Sequence, residues 1–525
     1  MKQTNPLRPG PLAALLAALG AGPAVAQTTP PVAPPAAAVP QAAPSGPFSL
    51  TQAVEYAIQN NLSVRQSQLQ AELSDATLRQ SRLGQLPTAQ ATASQTWNYG
   101  TNVDPFTFEF QDVTTRANNF SAGAQLNLFS GFQVRNTIKR NGLDYQAALL
   151  DIDQARNDLS LNVASAYLQY LLGEELLRAA QLRIDTDRQQ IERTQKLLRA
   201  GAVAESNLLD AQAQLASDEV NVVTAQNQRD LARLQIAQLL NLDAARSNSL
   251  TLVIPQLPDP DEMPAMDTDA DGTYQIAQGT QPQVKAADLR VQSALRGVEV
   301  ARGAYYPRLS FGASIFSGYS SARNARKLTG DTAVVPVAQF YRLGPGGAPQ
   351  PITNIVSVDP LTGQPVIVPG AFAGIRQPTF ESLSEGFGAQ VRNNIGRQLS
   401  FNLTIPILNG WQARTNVQRS IIGTKQAELR AEQTRLTLRQ TIQQAYADAL
   451  AAQRRYAANR RQVEALTTAY RNAEIRFNNG LLNGTDFNQA KNNLAGAEST
   501  MIQAKYEYLF RRKVLDFYQG KPLDL

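Results

Sequence analysis

Asp267, Asp269 and Asp271, followed by Gly272, begin like a calcium-binding loop, in which alternate side-chain oxygens and a glycine turn encircle the ion. The twelfth position of that frame requires a bidentate Glu and holds Gln278, so a solvated acidic linker is the stronger reading. The run Gly344-Pro345-Gly346-Gly347 lacks the Gly-Lys-Ser/Thr ending with which such loops cradle phosphate. Cys and His are absent, which removes thiol nucleophiles, disulfides, imidazole bases and most transition-metal sites. No convergent acid–base set remains. Catalysis, a resident metal and a cofactor are therefore not expected. Asp486 is placed to cap a helix starting near it by accepting the first free N–H groups.

The elements that would hold these residues are written twice. Residues 130–240 return as 409–519 at a constant offset of 279. Ser130-Gly131-Phe132 becomes Asn409-Gly410-Trp411, Tyr167 becomes Tyr446, and Ala211 and Leu215 become Ala490 and Leu494. Val163, Tyr170, Leu177, Ile184, Ile191 and Leu198 recur every seven residues, and their partners 279 later are again apolar. Such a heptad predicts helices packed in coiled-coil fashion. Phe487, Leu494, Met501, Tyr508 and Leu515 continue it, and the first-half equivalent breaks once, at Arg229. One helix is predicted over 133–199, roughly 100 Å long, with shorter ones over 51–82 and 206–240 that match it end to end. Turns fall at Ala200-Gly201-Ala202 and Asn479-Gly480-Leu481, with Gly in the helix-terminating place.

A second texture alternates. Phe120, Ala122, Ala124, Leu126 and Leu128 interleave with polar residues, as do Leu399, Phe401, Leu403 and Ile405. This predicts strands over 119–128 and 398–405 with one apolar and one polar face. Weaker strands lie at 87–97 and 305–316, where the offset is 220, so the second copy carries 59 extra residues. An ordinary half-buried sheet would satisfy this pattern. A tilted membrane crossing is favoured because the helices are committed to their own seams and nothing is left to cover the apolar face. Four strands cannot close a barrel, and lipid tolerates no open edges, so several chains must share one. Within the long loop 317–397, Ile355–Val358 and Val366–Val368 suggest a small hairpin, in a segment either functional or disordered. Trp97 and Trp411 lie near strand ends, where a membrane interface or simple packing would explain them equally.

The N-terminus reads as a secretory signal over 1–26. Lys2 and Arg8 are its basic region, Leu12–Leu19 its apolar stretch and Ala24-Val25-Ala26 its cleavage site. A Pro/Ala-rich lead-in, 27–47, follows. The net charge is +6 before Lys2 and Arg8 leave, and the charges alternate along helices, so nucleic acid is not an expected partner.

The order of helix, two strands, long helix, Gly turn and helix, given twice, resembles the TolC family of outer-membrane channels. The likeness covers essentially all of 48–520. It implies a mainly α chain with a small β part: long coiled-coil helices forming a trimeric α-barrel, and four strands per chain forming a 12-strand transmembrane β-barrel. The repeats would be 48–242 and 274–520, with 243–273 a linker in an equatorial belt and 317–397 an extracellular loop. It implies a homotrimer in outer-membrane lipid with a periplasmic extension, a periplasmic adaptor protein and an inner-membrane transporter. The expected role is a passive exit duct for efflux or type I secretion. A periplasmic helical adaptor or scaffold without a barrel is the alternative. The family's entrance carries two Asp three apart after a Val-Gly turn. Here those places are Asp486 and Gln489 in the second half, and Asn207 and Asp210 in the first. The Arg and Tyr that latch the family's tip correspond to Leu482 and Phe477, so that latch is expected to differ. Three Asp486 carboxylates on one axis would repel one another and attract a cation. Gly201, Ala202, Gly480 and Leu481 would form the turns that meet the adaptor.

Overall fold

The computed structural model describes residues 47–103, 110–112, 114–201, 203–255, 257–260, 263, 269–321, 324–336, 341–343, 349–351, 356–358, 361, 365–367 and 374–521. The signal segment, most of the lead-in, Ala202, Asp267 and Gly344–Gly347 lie outside the described residues.

The first half runs α1 (Leu50–Asn60), α2 (Leu62–Leu83), β1 (Thr88–Asn98), the short pair β2 (Thr101–Val103) and β3 (Phe110–Asp112), β4 (Thr115–Ser130), α3 (Gln133–Arg199) and α4 (Glu205–Leu239). After α5 (Ala244–Asn248), the second half brings α6 (Ala270–Thr280), α7 (Pro282–Arg302), β5 (Arg308–Ser320), a strand-rich insertion and α8 (Phe387–Asn393). It closes with β12 (Gly396–Thr404), α9 (Gln412–Asn478) and α10 (Gly484–Tyr518). The duplication holds at the level of elements. Helices α3 and α9 both have 67 residues, and α4 and α10 both have 35.

The continuous helix expected over 51–82 is instead two. Asn61 is extended, at φ −69° and ψ 136°. Its side-chain oxygen accepts from the Ser63 N–H at 2.9 Å and the Ser63 hydroxyl at 2.6 Å, while its amide donates to the Leu239 carbonyl at 2.9 Å. An Asn that satisfies the backbone locally competes with the helix, and the apolar period on either side conceals the break. In the copy, Gln281 breaks the run for a different reason: Pro282 follows it and disfavours the helical conformation in the residue before.

One compact unit, comprising residues up to 76, 142–293 and from 424 onward, is helical. Its main core gathers Phe48, Leu50, Tyr56, Val163, Tyr167, Leu171, Ile236, Leu240 and Leu252. Phe48 pairs with Leu252 in a parallel bridge, and the Tyr167 hydroxyl, buried behind it, donates to the carbonyls of Val253 at 2.5 Å and Phe48 at 3.2 Å. Burial pushes the Tyr167 pKa up to about 12. One side chain thus ties the segment before α1 to the segment after α5. Alanines line the helix seams, with Ala211, Ala225 and Ala232 buried on α4 and Ala497 and Ala504 on α10. The Arg229 break in the heptad is absorbed. Gly173 leaves room for the Arg229 backbone, which a Cβ there would approach to 2.8 Å, and the guanidinium lies 3.7 Å from Glu174 and 2.9 Å from Asp230.

The other unit, 77–141 with 294–423, carries the sheet. Its strand order is β1-β4-β5-β12, antiparallel throughout. Each expected strand is found. Ala89, Ala124, Ala313 and Leu399 share one row, and Leu126, Phe311 and Phe401 another, all on one face. Opposite lies a polar face, where the Thr92 and Ser121 hydroxyls bond at 2.6 Å. The apolar face is largely bare, with Leu399 72% and Phe401 68% exposed. It is not wholly uncovered, as the sequence suggested. Phe387 of α8 packs on Phe120 and Tyr319, and buried Gln390 exchanges hydrogen bonds with the Ser320 backbone at 3.0 and 3.1 Å. The insertion holds a long hairpin, β6 (Asn324–Pro336) with β11 (Gly374–Ser384), and a short pair, β7 (Tyr341–Leu343) with β8 (Pro349–Pro351). The small hairpin read from the sequence is present as β9 (Val356–Val358) with β10 (Pro365–Ile367).

Candidate functional site

The residues singled out around the Gly turns lie where α3 passes to α4 and α9 to α10. Gly201 and Gly480 have φ +70° and +73°, left-handed values that cost an L side chain about 1–2 kcal/mol. At the second turn Leu481 N–H reaches back to the Arg476 carbonyl at 2.8 Å and Gly480 N–H to Phe477 at 3.0 Å, which satisfies carbonyls the helix end leaves free. Leu481 is 70% exposed and beyond it α10 begins.

Asp486 is not the cap of α10. Asn483 holds that place, its side-chain oxygen accepting the Asp486 N–H at 2.7 Å. A residue already inside the first turn has its own N–H to be satisfied and cannot serve as the boundary acceptor, so the Asp486 carboxylate is left exposed beside the positive end of the helix. Gln489, one turn on, is exposed and donates to Asn493 at 2.8 Å. In the first half the residue before α4 is Ala204, which offers no side-chain cap. Asn207 there is half-buried and Asp210 exposed. The two halves meet at this level: a Cβ on Gly484 would lie 3.4 Å from the Asn207 side-chain oxygen. Farther along, the Gln214 and Asn492 amides bond reciprocally at 2.9 and 3.0 Å, joining α4 to α10.

The Asp267–Asp271 stretch is not a calcium loop where it is described. Asp269 caps α6 by accepting the Gly272 N–H at 2.8 Å, and Asp271 pairs with Arg439 at 3.4 Å. The Asp269 carboxylate is thereby committed to its own helix and that of Asp271 to Arg439 of α9. Among the described residues no group of three or more acidic side chains is arranged to hold a metal ion.

Two features near the turns escaped the sequence reading. Phe487, buried at the start of α10, stacks on Phe477 with centroids 4.6 Å apart and planes 9° from parallel, and meets Tyr470 at 5.7 Å. Phe477, which the sequence comparison set opposite a latch Tyr, is thus part of an aromatic stack. The second feature is a buried ion pair between Asp187 of α3 and Lys491 of α10, with side chains 4% and 12% exposed. Arg183 flanks it, donating to the Ala495 carbonyl at 2.5 Å and the Ser499 hydroxyl at 3.2 Å, and lying 3.7 Å from Glu498. Burial, and then the Arg183 charge, pull the Lys491 pKa down to about 8. The sequence carried a signal for the acid of this pair, though not for its partner. Ala166, Gly173, Ala180, Asp187 and Thr194 form a second heptad row beside the apolar one, and an Asp in a seam of small residues calls for a cation opposite.

The pattern that defines the outer membrane efflux protein family matches residues 53–242 and 370–521. Among curated relatives, the chain is 25% identical over 203 residues to the pyoverdine export outer membrane protein OpmQ of Pseudomonas putida, covering 39% of this chain and 41% of that one. It is 25% identical over 206 residues to the fusaric acid resistance protein FusA of Burkholderia cepacia, 38% of each. The matched stretch thus spans about two fifths of either relative. Among solved structures, the channel-forming protein CusC superposes with a TM-score of 0.68 at 16% identity over 90% of this chain and 92% of that one. At that identity the likeness is one of fold.

Proposed function

Because the chain belongs to the outer membrane efflux protein family, we propose that it is the passive exit duct of an efflux or type I secretion assembly. Bonds are neither made nor broken. Three copies line one conduit, and solutes or proteins collected by an inner-membrane transporter and a periplasmic adaptor leave through it. The observation that carries this reading is the four-stranded sheet, with a largely bare apolar face and two edges unpaired among the described residues, on a chain whose other unit is built of long helices. Such a sheet is a liability in water and has no place in lipid until further strands close it. A periplasmic scaffold without a barrel would have to solvate Leu399, Phe401 and Leu403, which argues against the alternative. Repeats 48–242 and 274–520 form the duct wall, with 243–273 in a belt around the helices and the insertion within 317–397 on the cell exterior.

In this reading the turns at Gly201–Ala202 and Gly480–Leu481 face the adaptor, and Asp486, Gln489, Asn207 and Asp210 surround the periplasmic entrance. One acidic ring, from Asp486, is supported by its exposure at a helix start. The transporter chooses the cargo. Full-length protein in planar lipid bilayers is expected to conduct in discrete steps, and Asp486→Ala to weaken block by divalent cations on the order of tenfold, about 1.4 kcal/mol shared by three carboxylates. Unchanged block would remove Asp486 from the entrance, and an assembled protein that conducts nothing would remove the duct.

A further inference from the structure

We propose that an anionic phospholipid seats in a groove at the foot of β12, with its phosphate on Arg414 and an acyl chain along Ile407 and Leu408. This rests on the duct reading and names the lipid class for one part of its surface. The sheet itself locates the groove in the bilayer. On the apolar face, toward the Ser320 end of β5, the first polar side chains are Gln95 on β1, Asn118 on β4, Ser317 on β5 and Arg397 on β12. Gln95 and Asn118 share a row with Tyr319, whereas Arg397 shares one with Ile315, Ala122 and Ala91. The edge of the apolar band thus drops from Gln95 to the row of Ala91, about 13 Å of strand, across three inter-strand gaps of about 4.8 Å. Its slope against the rows is about 40°, the angle at which strands tilt through a bilayer.

The same edge fixes the depth on β12. Beyond Arg397 the alternation runs through Leu399, Phe401, Leu403 and Ile405 to Ile407. Arg397 to Ile407 is about 33 Å of extended chain and, at that tilt, about 25 Å of depth, the height of the apolar band on a transmembrane barrel. The hydrocarbon therefore ends at Ile407 and Leu408, which are 95% and 87% exposed. Headgroup level follows, and there the chain places Trp411, 61% exposed, and Arg414. Pairing of β12 with β5 stops at Thr404, and Pro406 has no N–H with which to resume it. The freed segment opens a groove of about 220 Å³, lined by Tyr305, Pro406, Ile407, Leu408, Trp411 and Arg414.

The lining suits one kind of occupant. Arg414 is the cation in a wall otherwise mostly apolar and aromatic. Its guanidinium lies 4.4 Å over one face of the Trp411 ring, which holds the charge at the rim of the groove. No carboxylate among the described residues pairs with it. A guanidinium takes two phosphate oxygens at once, and an indole is most at home where acyl chains meet headgroups. A free phosphate would satisfy Arg414 but leave Ile407 and Leu408 in water. An apolar protein segment would cover the two aliphatic side chains but strand the guanidinium. A phospholipid with net negative charge meets both demands, and the groove is continuous with a sheet face that lipid already covers in the duct reading.

The chain has 2 Trp, so Trp97→Phe leaves Trp411 as the single indole reporter. Full-length Trp97→Phe protein is inserted into phosphatidylcholine vesicles, with insertion read as conduction in the same lipid. A minor fraction of that lipid is then replaced by phosphatidylglycerol or phosphatidylcholine brominated at the headgroup end of its acyl chains, which quenches an indole it touches. Brominated phosphatidylglycerol is expected to occupy the site with about fivefold preference, the worth of one basic side chain at an anionic headgroup. Arg414→Gln should abolish that preference and Arg414→Lys keep most of it, while brominated phosphatidylcholine continues to quench both. Equal quenching by the two lipids, or a preference indifferent to Arg414→Gln, overturns the site. So does the absence of quenching by either lipid in protein that conducts, since Trp411 would then be covered by protein. Protein that neither inserts nor conducts would overturn the duct reading, and the site with it.

Discussion

Asp187→Ala is expected to loosen α10 from α3 and lower stability by about 3–5 kcal/mol, the cost of leaving a buried charge without its partner. Lys491 would remain nearly enclosed, with the like charge of Arg183 beside it. The effect should appear as faster hydrogen exchange over the first half of α10 and a lower melting temperature. Removing both charges is different. The positions equivalent to Asp187 and Lys491 hold Leu466 in the second half and Gln212 in the first, so neither charge is a requirement of the repeat. Asp187→Leu with Lys491→Met should recover most of the loss, as apolar replacements of buried pairs commonly do. The pair is also imperfect, because the second Asp187 oxygen has no hydrogen-bond partner among the described residues. If Asp187→Ala left α10 exchange unchanged, the pair would carry no weight.

Phe487→Ala should rank beside it, at about 3–5 kcal/mol for emptying an aromatic site. The side chain is buried against Tyr470 and Phe477 of α9. Limited proteolysis within 479–484 reads the loss directly. Phe477→Ala should produce the same cleavage, and the double variant should cost less than the sum, because the two rings share one contact. Additive costs would mean that the rings act separately. The corresponding residues of the first half are Leu198 and Leu208, so the aromatic stack belongs to the Asp486 turn alone.

Much of the fold was legible because it repeats. The 67-residue helix could be bounded at 133–199 from its heptad and from Gly201, since one glycine at positive φ ends it. The strands were readable because alternation survives when one face stays bare. Less legible were features in which a polar side chain does a local job inside an apolar pattern. Asn61 breaks a helix by satisfying Ser63 and Leu239, contacts that no periodicity reports. Asn483 takes the capping place that Asp486 could have held, and three residues separate the two readings. Gln390 fastens α8 to β5 through backbone partners 70 residues away, which a loop sequence does not disclose. Of the site, the glycine turns were foreseen. The Asp187–Lys491 tie was not, because its two members lie 304 residues apart.

The central claim is that the bare apolar sheet faces lipid in the outer membrane. Density-gradient separation of membranes from cells making the full chain, followed by an alkaline wash, tests it most directly. The expected result is a protein that sediments with the outer membrane and stays there through the wash. Release by the wash, or sedimentation with the inner membrane, would contradict the account.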